Sequence, residues 1–393
     1  MTDNRRFSRR GMLLGGMAVP LGAGVLAAAG PASGAAAKPG NGKGSKHTTG
    51  LLSGVRTQIV PLGVAGGPTY LGDHTAGTST MIVHAGRAYI VDLGLGAFAN
   101  LAASGIAPNP QVGSSLTNVA AVLFTHLHSD HTTDWPAMYA TGGTNIVGRD
   151  DTPIQVFGPG DRGTLPRLSP PDAPERDLAA EDNPVPGLVS MSRSLEAAFA
   201  QDINDRVQDS NFPLPSKTFD VHDIDLTGIW DIGPDGVPPR LDAPIPVWRD
   251  GDVTVTATLV DHHPTAPAFA YRFDTPDGSI VISGDTTVSE NLIDLARGAD
   301  VLIHEVIDPA WVDQLVANLP PETAEPLRKH LLESHTTIAQ VGREVAQPAG
   351  VKTLVLNHRV PVSTPDSHWR AARKGFDGKL VVAHDLEAIA VGV

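Results

Sequence analysis

The chain has 393 residues, of which 43 are acidic and 29 are lysine or arginine. The resulting net charge of −14 argues against a nucleic-acid partner, because phosphate backbones bind clustered lysine and arginine. Hydrophobic residues make up 41% of the chain, which excludes global disorder, and the absence of cysteine excludes disulfides, thiolate nucleophiles and cysteine-ligated metal sites together.

The first 37 residues indicate a targeting segment that stands apart from the fold. Residues 11–29 are uncharged, but five glycines and Pro20 break this stretch, which is unlike a membrane-spanning helix. Residues 8–14 resemble the twin-arginine export signal, and Ala35-Ala36-Ala37 fits a small-residue cleavage site. The resemblance implies the twin-arginine export machinery, a periplasmic or extracellular location and no stable membrane association after cleavage. The alternative is a membrane anchor that is never cut.

Residues 38–50 indicate a flexible linker, and residues 51–393 indicate a catalytic domain in which short valine- and isoleucine-rich runs alternate with helical patterns. Strands are predicted at 57–62, 79–84, 88–92, 119–125, 153–157, 253–260, 268–274, 279–283, 300–304, 353–357 and 380–383. Helices are predicted at 97–104, 132–140, 190–208, 287–298, 322–333 and 336–347. Two strand-rich halves with helices after each predict an α/β fold in which two sheets pack face to face with helices outside.

Residues 160–250 lie between these halves and hold 13 prolines and one convincing helix, at 190–208. We interpret this segment as an insertion over the active-site face, and the alternative is a disordered surface loop. Its large aromatic side chains favour packing, and they are Phe199, Phe212, Trp230 and Trp248.

The strongest chemical signal is the sequence Thr-His-Leu-His-Ser-Asp-His at 125–131, directly after an apolar predicted strand. His126 and His128 are two residues apart and can point the same way, and Asp130 and His131 lie one turn further on. Four ligand-type residues within six positions suit two adjacent metal ions better than one. Imidazole and carboxylate groups are ligands for zinc, and also for iron or manganese.

Three later motifs each follow a predicted strand: His262 in Leu-Val-Asp-His-His-Pro, Asp285 in Ser-Gly-Asp-Thr, and His358 in Leu-Asn-His-Arg. With the H-x-H-x-D-H string, this ordered set resembles the metallo-β-lactamase superfamily from about residue 57 to the end, apart from the insertion. The resemblance implies a four-layer αββα sandwich with a proline-rich insertion.

The resemblance also implies two divalent metal ions, which we expect to be zinc, with Asp285 bridging them. Each ion would take three further ligands, namely His126, His128 and His262 for the first, and Asp130, His131 and His358 for the second. His263 stays open as an alternative to the adjacent His262, which the surrounding His-x-Pro pattern favours. Asp92, at the end of a predicted strand, is expected to support the site rather than to bind metal.

His335 is the candidate general acid, because Ser-His-Thr-Thr at 334–337 resembles the helper histidine of the ribonuclease-Z-like branch of the superfamily. The alternative is a surface histidine beside a helix cap. The pair His304-Glu305 also resembles that branch, and a catalytic role and a buried structural role both stay open. Two ions about 3.5–4 Å apart would hold a bridging hydroxide as the nucleophile, which Asp130 would orient.

These resemblances predict an exported dinuclear zinc hydrolase that cleaves a small-molecule ester. Aryl or alkyl sulfates and phosphodiesters are the leading substrate candidates. Stretches at 198–206 and 219–224 are similar to the metal-type arylsulfatases, and Trp230 and Trp248 are candidates to stack an aryl leaving group. The alternatives are a lactonase or β-lactam hydrolase on the same metals, a mononuclear iron dioxygenase, and a non-catalytic metal-containing binding protein. The oligomeric state stays open.

Overall fold

The computed structural model describes residues 50–69, 75–169, 171 and 173–392. The predicted targeting segment and the predicted linker up to residue 49 lie outside these described residues. Within the described ranges, every helix is too short or too polar to cross a membrane.

The described residues form two seven-stranded sheets. The first contains β1 (Thr57–Gly63), β2 (Ser79–His84), β3 (Arg87–Val91), β4 (Val119–Leu123), β5 (Ile154–Pro159) and β6 (Phe219–Ile224), with β14 (Ile389–Ala390) beside β1. The second contains β7 (Ile245–Asp250), β8 (Val253–Leu259), β9 (Phe269–Thr275), β10 (Gly278–Ile282), β11 (Val301–Ile307), β12 (Thr353–Val360) and β13 (Lys379–Val382). The spatial orders are β14-β1-β2-β3-β4-β5-β6 and β13-β12-β11-β10-β9-β8-β7.

The helices lie mainly on the outer faces of the sheets. Those of the first half and the middle of the chain are α1 (Ala97–Ala103), α2 (Ser129–Thr132), α3 (Trp135–Thr141), α4 (Leu188–Ala198), α5 (Ala200–Ser210) and α6 (Pro215–Thr218). Those of the second half are α7 (Glu290–Leu295), α8 (Pro309–Val316), α9 (Pro321–Glu333), α10 (Ile338–Gln340), α11 (Gln347–Ala349) and α12 (Asp366–Trp369). A π-helical turn at Val341–Ala346 joins α10 to α11, and 3₁₀ turns follow α3 and α12.

The main hydrophobic core lies between the two sheets. Ile82 and Leu123 from the first sheet and Val255 and Phe273 from the second belong to this core and are almost inaccessible to water. Burying each such side chain stabilises the fold by about 1.5–3 kcal/mol. Two outer clusters join each sheet to its own helices. The result is a four-layer αββα sandwich, which confirms the predicted fold class.

The strand directions explain why the predicted motifs meet. Strands β3 to β6 run parallel to one another, and so do β10 to β13. The carboxyl ends of parallel strands lie at one edge of a sheet, so the loops that follow them converge there. His126 follows β4, Asp285 follows β10, and His358 lies near the end of β12.

Residues 160–250 are more closely built into the sandwich than a covering insertion would be. They supply β6 and β7, one edge strand of each sheet, and the predicted helix at 190–208 is divided at Phe199 into α4 and α5. Sequence pattern alone misses β7 because Pro246 interrupts it. Proline is tolerated there because an edge strand has one side without ladder hydrogen bonds.

Candidate metal centre

The histidine motif at 125–131 folds into a strand end followed at once by a helix start. His128 is the N-cap residue of α2, whose first turn carries Asp130 and His131. The chain therefore passes from strand to helix between His126 and Asp130, and side chains of the strand end and of the first helical turn lie close to one another. This local geometry explains why four ligand-type residues fit within six positions.

All seven predicted ligands come together at this edge of the sandwich. One group consists of His126, His128, His262 and Asp285, and the other of Asp130, His131, His358 and again Asp285. In each group, one nitrogen or oxygen atom per residue lies within 4.8 Å of the others. The structure thus brings the residues into the two sets that the family resemblance implies.

Asp285 connects the two groups through its two carboxylate oxygens. Its Oδ1 atom lies 3.2 Å from the Nε2 atoms of both His131 and His358. Its Oδ2 atom lies 3.9 Å from Nε2 of His126 and 3.8 Å from Nε2 of His262. Each oxygen therefore faces a different histidine pair, which suits a carboxylate that bridges two ions through its two oxygens.

The buried polar atoms of this cluster fit a pair of divalent cations. Nε2 of His126, Nε2 of His131 and Oδ1 of Asp285 are buried without a hydrogen-bond partner among the described residues. A buried polar atom without a partner is costly, so such atoms in one cluster call for an explanation. Imidazole nitrogens and carboxylate oxygens are ligands of zinc, and the donor set therefore fits the metal ions that the sequence predicts.

The neighbours His262 and His263 have different surroundings. The His262 side chain is fully buried, and its Nδ1 atom donates to the backbone carbonyl of Ser334 at 2.9 Å, which directs Nε2 to the cluster. The His263 side chain is 32% exposed and pairs with Asp261 at 2.8 Å. The structure therefore places His262 in the first group and His263 outside both.

Asp92 orients His131 from behind. Its Oδ2 atom accepts a hydrogen bond from Nδ1 of His131 at 2.8 Å, and its two oxygens accept from the backbone N–H and the hydroxyl of Thr125, each at 2.8 Å. A histidine that donates through Nδ1 presents Nε2 as the ligand atom. Asp92 thus has the supporting position that the sequence indicates.

Asp130 belongs to the second group, and its surroundings keep its carboxyl ionised. Its Oδ2 atom lies 3.3 Å from Nε2 of His358 and accepts the backbone N–H of Gly67 at 2.9 Å. Burial opposes ionisation, but His131 and His358 outweigh it and hold the pKa of Asp130 well below its usual range. Asp130 is therefore negatively charged at neutral pH.

His335 stands beside the cluster with its own carboxylate partner. Its Nδ1 atom lies 3.0 Å from Oε1 of Glu305 and 3.9 Å from Oδ2 of Asp285. Burial alone would lower the pKa of His335, but the two carboxylates raise it to about 9. Glu305 is fixed in turn by the backbone N–H of Thr286 at 2.9 Å, whereas the adjacent His304 donates to the Glu305 carbonyl and belongs to neither group.

A cavity of about 420 Å³ opens beside the cluster. Asp130, Asp285, His335 and His358 are among its lining residues. Its volume lies within the range of about 300–1,000 Å³ that is usual for small-molecule sites. The cluster is therefore accessible to a molecule of modest size.

The aromatic residues predicted to stack a leaving group lie elsewhere. Trp248 packs in the core at 6.3 Å from Tyr89 and 6.0 Å from Phe157 between ring centroids, and Trp230 also packs against the core between the sheets. The tryptophan in the cavity wall is Trp311, on helix α8, and neither was predicted from the sequence. The sequence signal for helix α8 is the Asp308-Pro309 pair, in which Asp308 caps the helix and proline occupies the first helical position.

Two mixed sheets flanked by helices, with a histidine and aspartate cluster at their edge, define a metal-dependent hydrolase fold. The chain belongs to the metallo-beta-lactamase superfamily, whose family model matches residues 72–324. This match confirms the predicted superfamily and the metallo-hydrolase class.

Its relatives include proteins named ribonuclease Z. The one from Mycobacterium sp. (strain KMS) is 30% identical over 319 residues, which cover 80% of this chain and 90% of the relative. The one from Mycobacterium bovis (strain BCG / Pasteur 1173P2) is 29% identical over 319 residues, with 80% and 92% covered. Human tRNase Z, short form, shares the fold with a TM-score of 0.52 at 18% identity, over 86% of this chain and 100% of that one.

Proposed function

We propose that the chain is a dinuclear zinc hydrolase that cleaves a phosphodiester or a sulfate ester of a small molecule. The observation that carries this proposal is the position of Asp285, whose two oxygens face two separate histidine pairs. The ribonuclease Z relatives support a phosphodiester bond as the target, because a ribonuclease cleaves phosphodiesters. The cavity beside the cluster supports a small substrate.

The residues of the cluster divide the chemical tasks. Zinc ions in the two groups would supply Lewis acidity and a water molecule whose pKa is near neutral. Asp130 is a charged acceptor at the cavity wall and can orient the proton of that water. When the bond from phosphorus or sulfur to the leaving oxygen breaks, the oxygen keeps the electron pair and takes a proton from Nε2 of His335. Glu305 holds Nδ1 of His335, which leaves Nε2 for this transfer.

A substrate panel with and without metal tests the proposal. The panel contains p-nitrophenyl sulfate, p-nitrophenyl phosphodiesters, a lactone and a chromogenic β-lactam, each assayed with the zinc-loaded protein and after chelation. We expect turnover of the sulfate or the phosphodiesters that is lost on chelation and restored by zinc, with about two zinc ions per chain. Turnover that survives chelation contradicts the proposal. One iron per chain favours the dioxygenase, and bound metal without any turnover favours the binding protein.

RNA cleavage is a second candidate, favoured by the names of the relatives. The net charge of −14 opposes it, because binding a polyanion depends on clustered lysine and arginine. A precursor tRNA in the same panel separates the candidates. We expect no cleavage of it under conditions in which the small phosphodiester turns over.

We also propose that residues 1–37 direct export by the twin-arginine route, as the paired Arg9 and Arg10 and the alanines before Lys38 indicate. Mass spectrometry of the protein collected outside the cytoplasm tests this, with Lys38 expected as the first residue. The double substitution Arg9→Lys and Arg10→Lys is expected to retain the protein in the cytoplasm. Equal export of this variant contradicts the proposal.

A further inference from the structure

Helices α8 and α9 form a hairpin that contributes four apolar side chains, together with His330, to the wall of the cavity. Trp311 and Leu315 of α8 and Leu327 and Leu331 of α9 line it. The two residues of each pair are four positions apart, so each helix presents its pair on one face. Asp130, Asp285 and His335 line the same cavity. One space therefore has both charged and apolar lining residues.

The hairpin has opposite faces of different character. Arg328 of α9 lies 2.9 Å from Asp313 of α8, and Lys329 lies 3.9 Å from Glu333, and these four side chains are all substantially exposed. The cavity lining, which consists of described residues, contains neither lysine nor arginine. Arg328 and Lys329 thus face solvent, whereas Leu315, Leu327 and Leu331 line the cavity.

These leucines are incompletely covered by the protein. Every side chain of α9 is at least partly exposed, although the helix has 13 residues, and Leu315 of α8 is 37% exposed. Trp311 and Leu331 rest against the small buried cluster of Ile307, Val312 and Val360, which anchors the hairpin. A core helix would bury its apolar face more fully. The apolar side of the hairpin is therefore available to a ligand in the cavity.

We infer that this hairpin binds an aryl or alkyl group of the substrate while the anionic ester lies at the metal cluster. The inference rests on the proposed function and narrows its substrate class to phosphodiesters or sulfates with a substantial apolar group. Since each buried methylene contributes about 0.8 kcal/mol, affinity should increase about three- to fourfold per added methylene until the cavity is filled.

A chain-length series tests this inference. The zinc-loaded protein is assayed with p-nitrophenyl alkyl phosphodiesters from methyl to octyl and, separately, by calorimetric titration with non-hydrolysable n-alkyl phosphonates of the same lengths. We expect kcat/KM and phosphonate affinity to rise with chain length in the native protein. Leu327→Asn should flatten both series. Leu319→Asn, in the turn between α8 and α9, is the control and should keep both slopes, because Leu319 is exposed and does not line the cavity.

The two measurements separate this inference from the proposed function. Turnover and affinity that are both independent of chain length overturn the inference and leave the metal-dependent hydrolysis intact. Affinity that rises with chain length without turnover of any ester supports the inference and overturns the proposed activity. Slopes that survive in Leu327→Asn overturn the assignment of the hairpin as the apolar subsite. If circular dichroism shows that Leu327→Asn is unfolded, Leu315→Asn replaces it with the same expected outcome, because Leu315 lines the same wall and is already 37% exposed.

Discussion

Asp92 offers a direct test of how the second ligand group is held. Asp92→Asn keeps the size of the side chain but replaces one of its two acceptor oxygens with an NH₂ group. Asp92 accepts three hydrogen bonds, from the backbone and hydroxyl of Thr125 and from Nδ1 of His131, so the amide must leave at least one buried donor without its acceptor. Loss of such an outer partner changes metal affinity by about 10–100-fold, which is about 1.4–2.7 kcal/mol. The same loss is expected to destabilise the fold by about 1–3 kcal/mol.

Competition with a chromophoric chelator measures the affinity of each zinc ion. We expect one of the two ions to bind about 10–100-fold more weakly in Asp92→Asn, because His131 belongs to only one group. Asp134→Asn is the matched control, since Asp134 is also buried but its side chain accepts from the backbone N–H of Phe98 rather than from a ligand. If both zinc ions bind to Asp92→Asn as tightly as to the native protein, the reasoning is refuted.

Three further predictions concern histidines around the cluster. His335→Gln should lower kcat/KM by about 10²–10⁴-fold for esters with poor leaving groups and far less for p-nitrophenyl esters, and an equal loss for both contradicts its role as proton donor. His262→Ala should reduce zinc content from two ions to one, whereas His263→Ala should keep both; metal analysis of the two variants decides which residue is the ligand. Burial, with help from His335, lowers the pKa of His330 to about 4 from 6.5, so the unfolded chain takes up this proton first as the pH falls. Stability in urea should therefore decrease from pH 6.5 to pH 4, and this decrease should be smaller in His330→Gln; identical pH profiles would contradict the shift.

The sequence predicts the sandwich well because its signals are local. Runs of valine and isoleucine at the predicted positions correspond to eleven of the fourteen strands. The strands that it misses carry conflicting local signals or are very short. β7 contains Pro246, three of the six residues of β6 are polar and two of these are adjacent, and β14 has only two residues. The partners of β6 and β14 lie far away along the chain, so only the assembled sheets determine these two strands.

The helices show the same limit. The pattern at 190–208 predicts one helix, but the chain turns at Phe199 and forms two. Helix α8 is missed although it carries Trp311 into the cavity wall. It has only eight residues, and such a short segment owes its helical stability to tertiary packing more than to propensity.

For the candidate metal centre, the sequence by itself determined which side chains meet. The motif at 125–131 places four ligand residues in one strand-to-helix turn, and each later ligand lies near or after the end of a strand at the same edge, so the fold class and the motifs together specify the set. Only the tertiary structure decided that His262 turns inward while His263 turns to Asp261, that the two oxygens of Asp285 face different histidines, and that Trp311 rather than Trp248 borders the cavity. These outcomes depend on side-chain directions and on contacts between residues far apart in the chain, which local patterns of hydrophobicity do not encode.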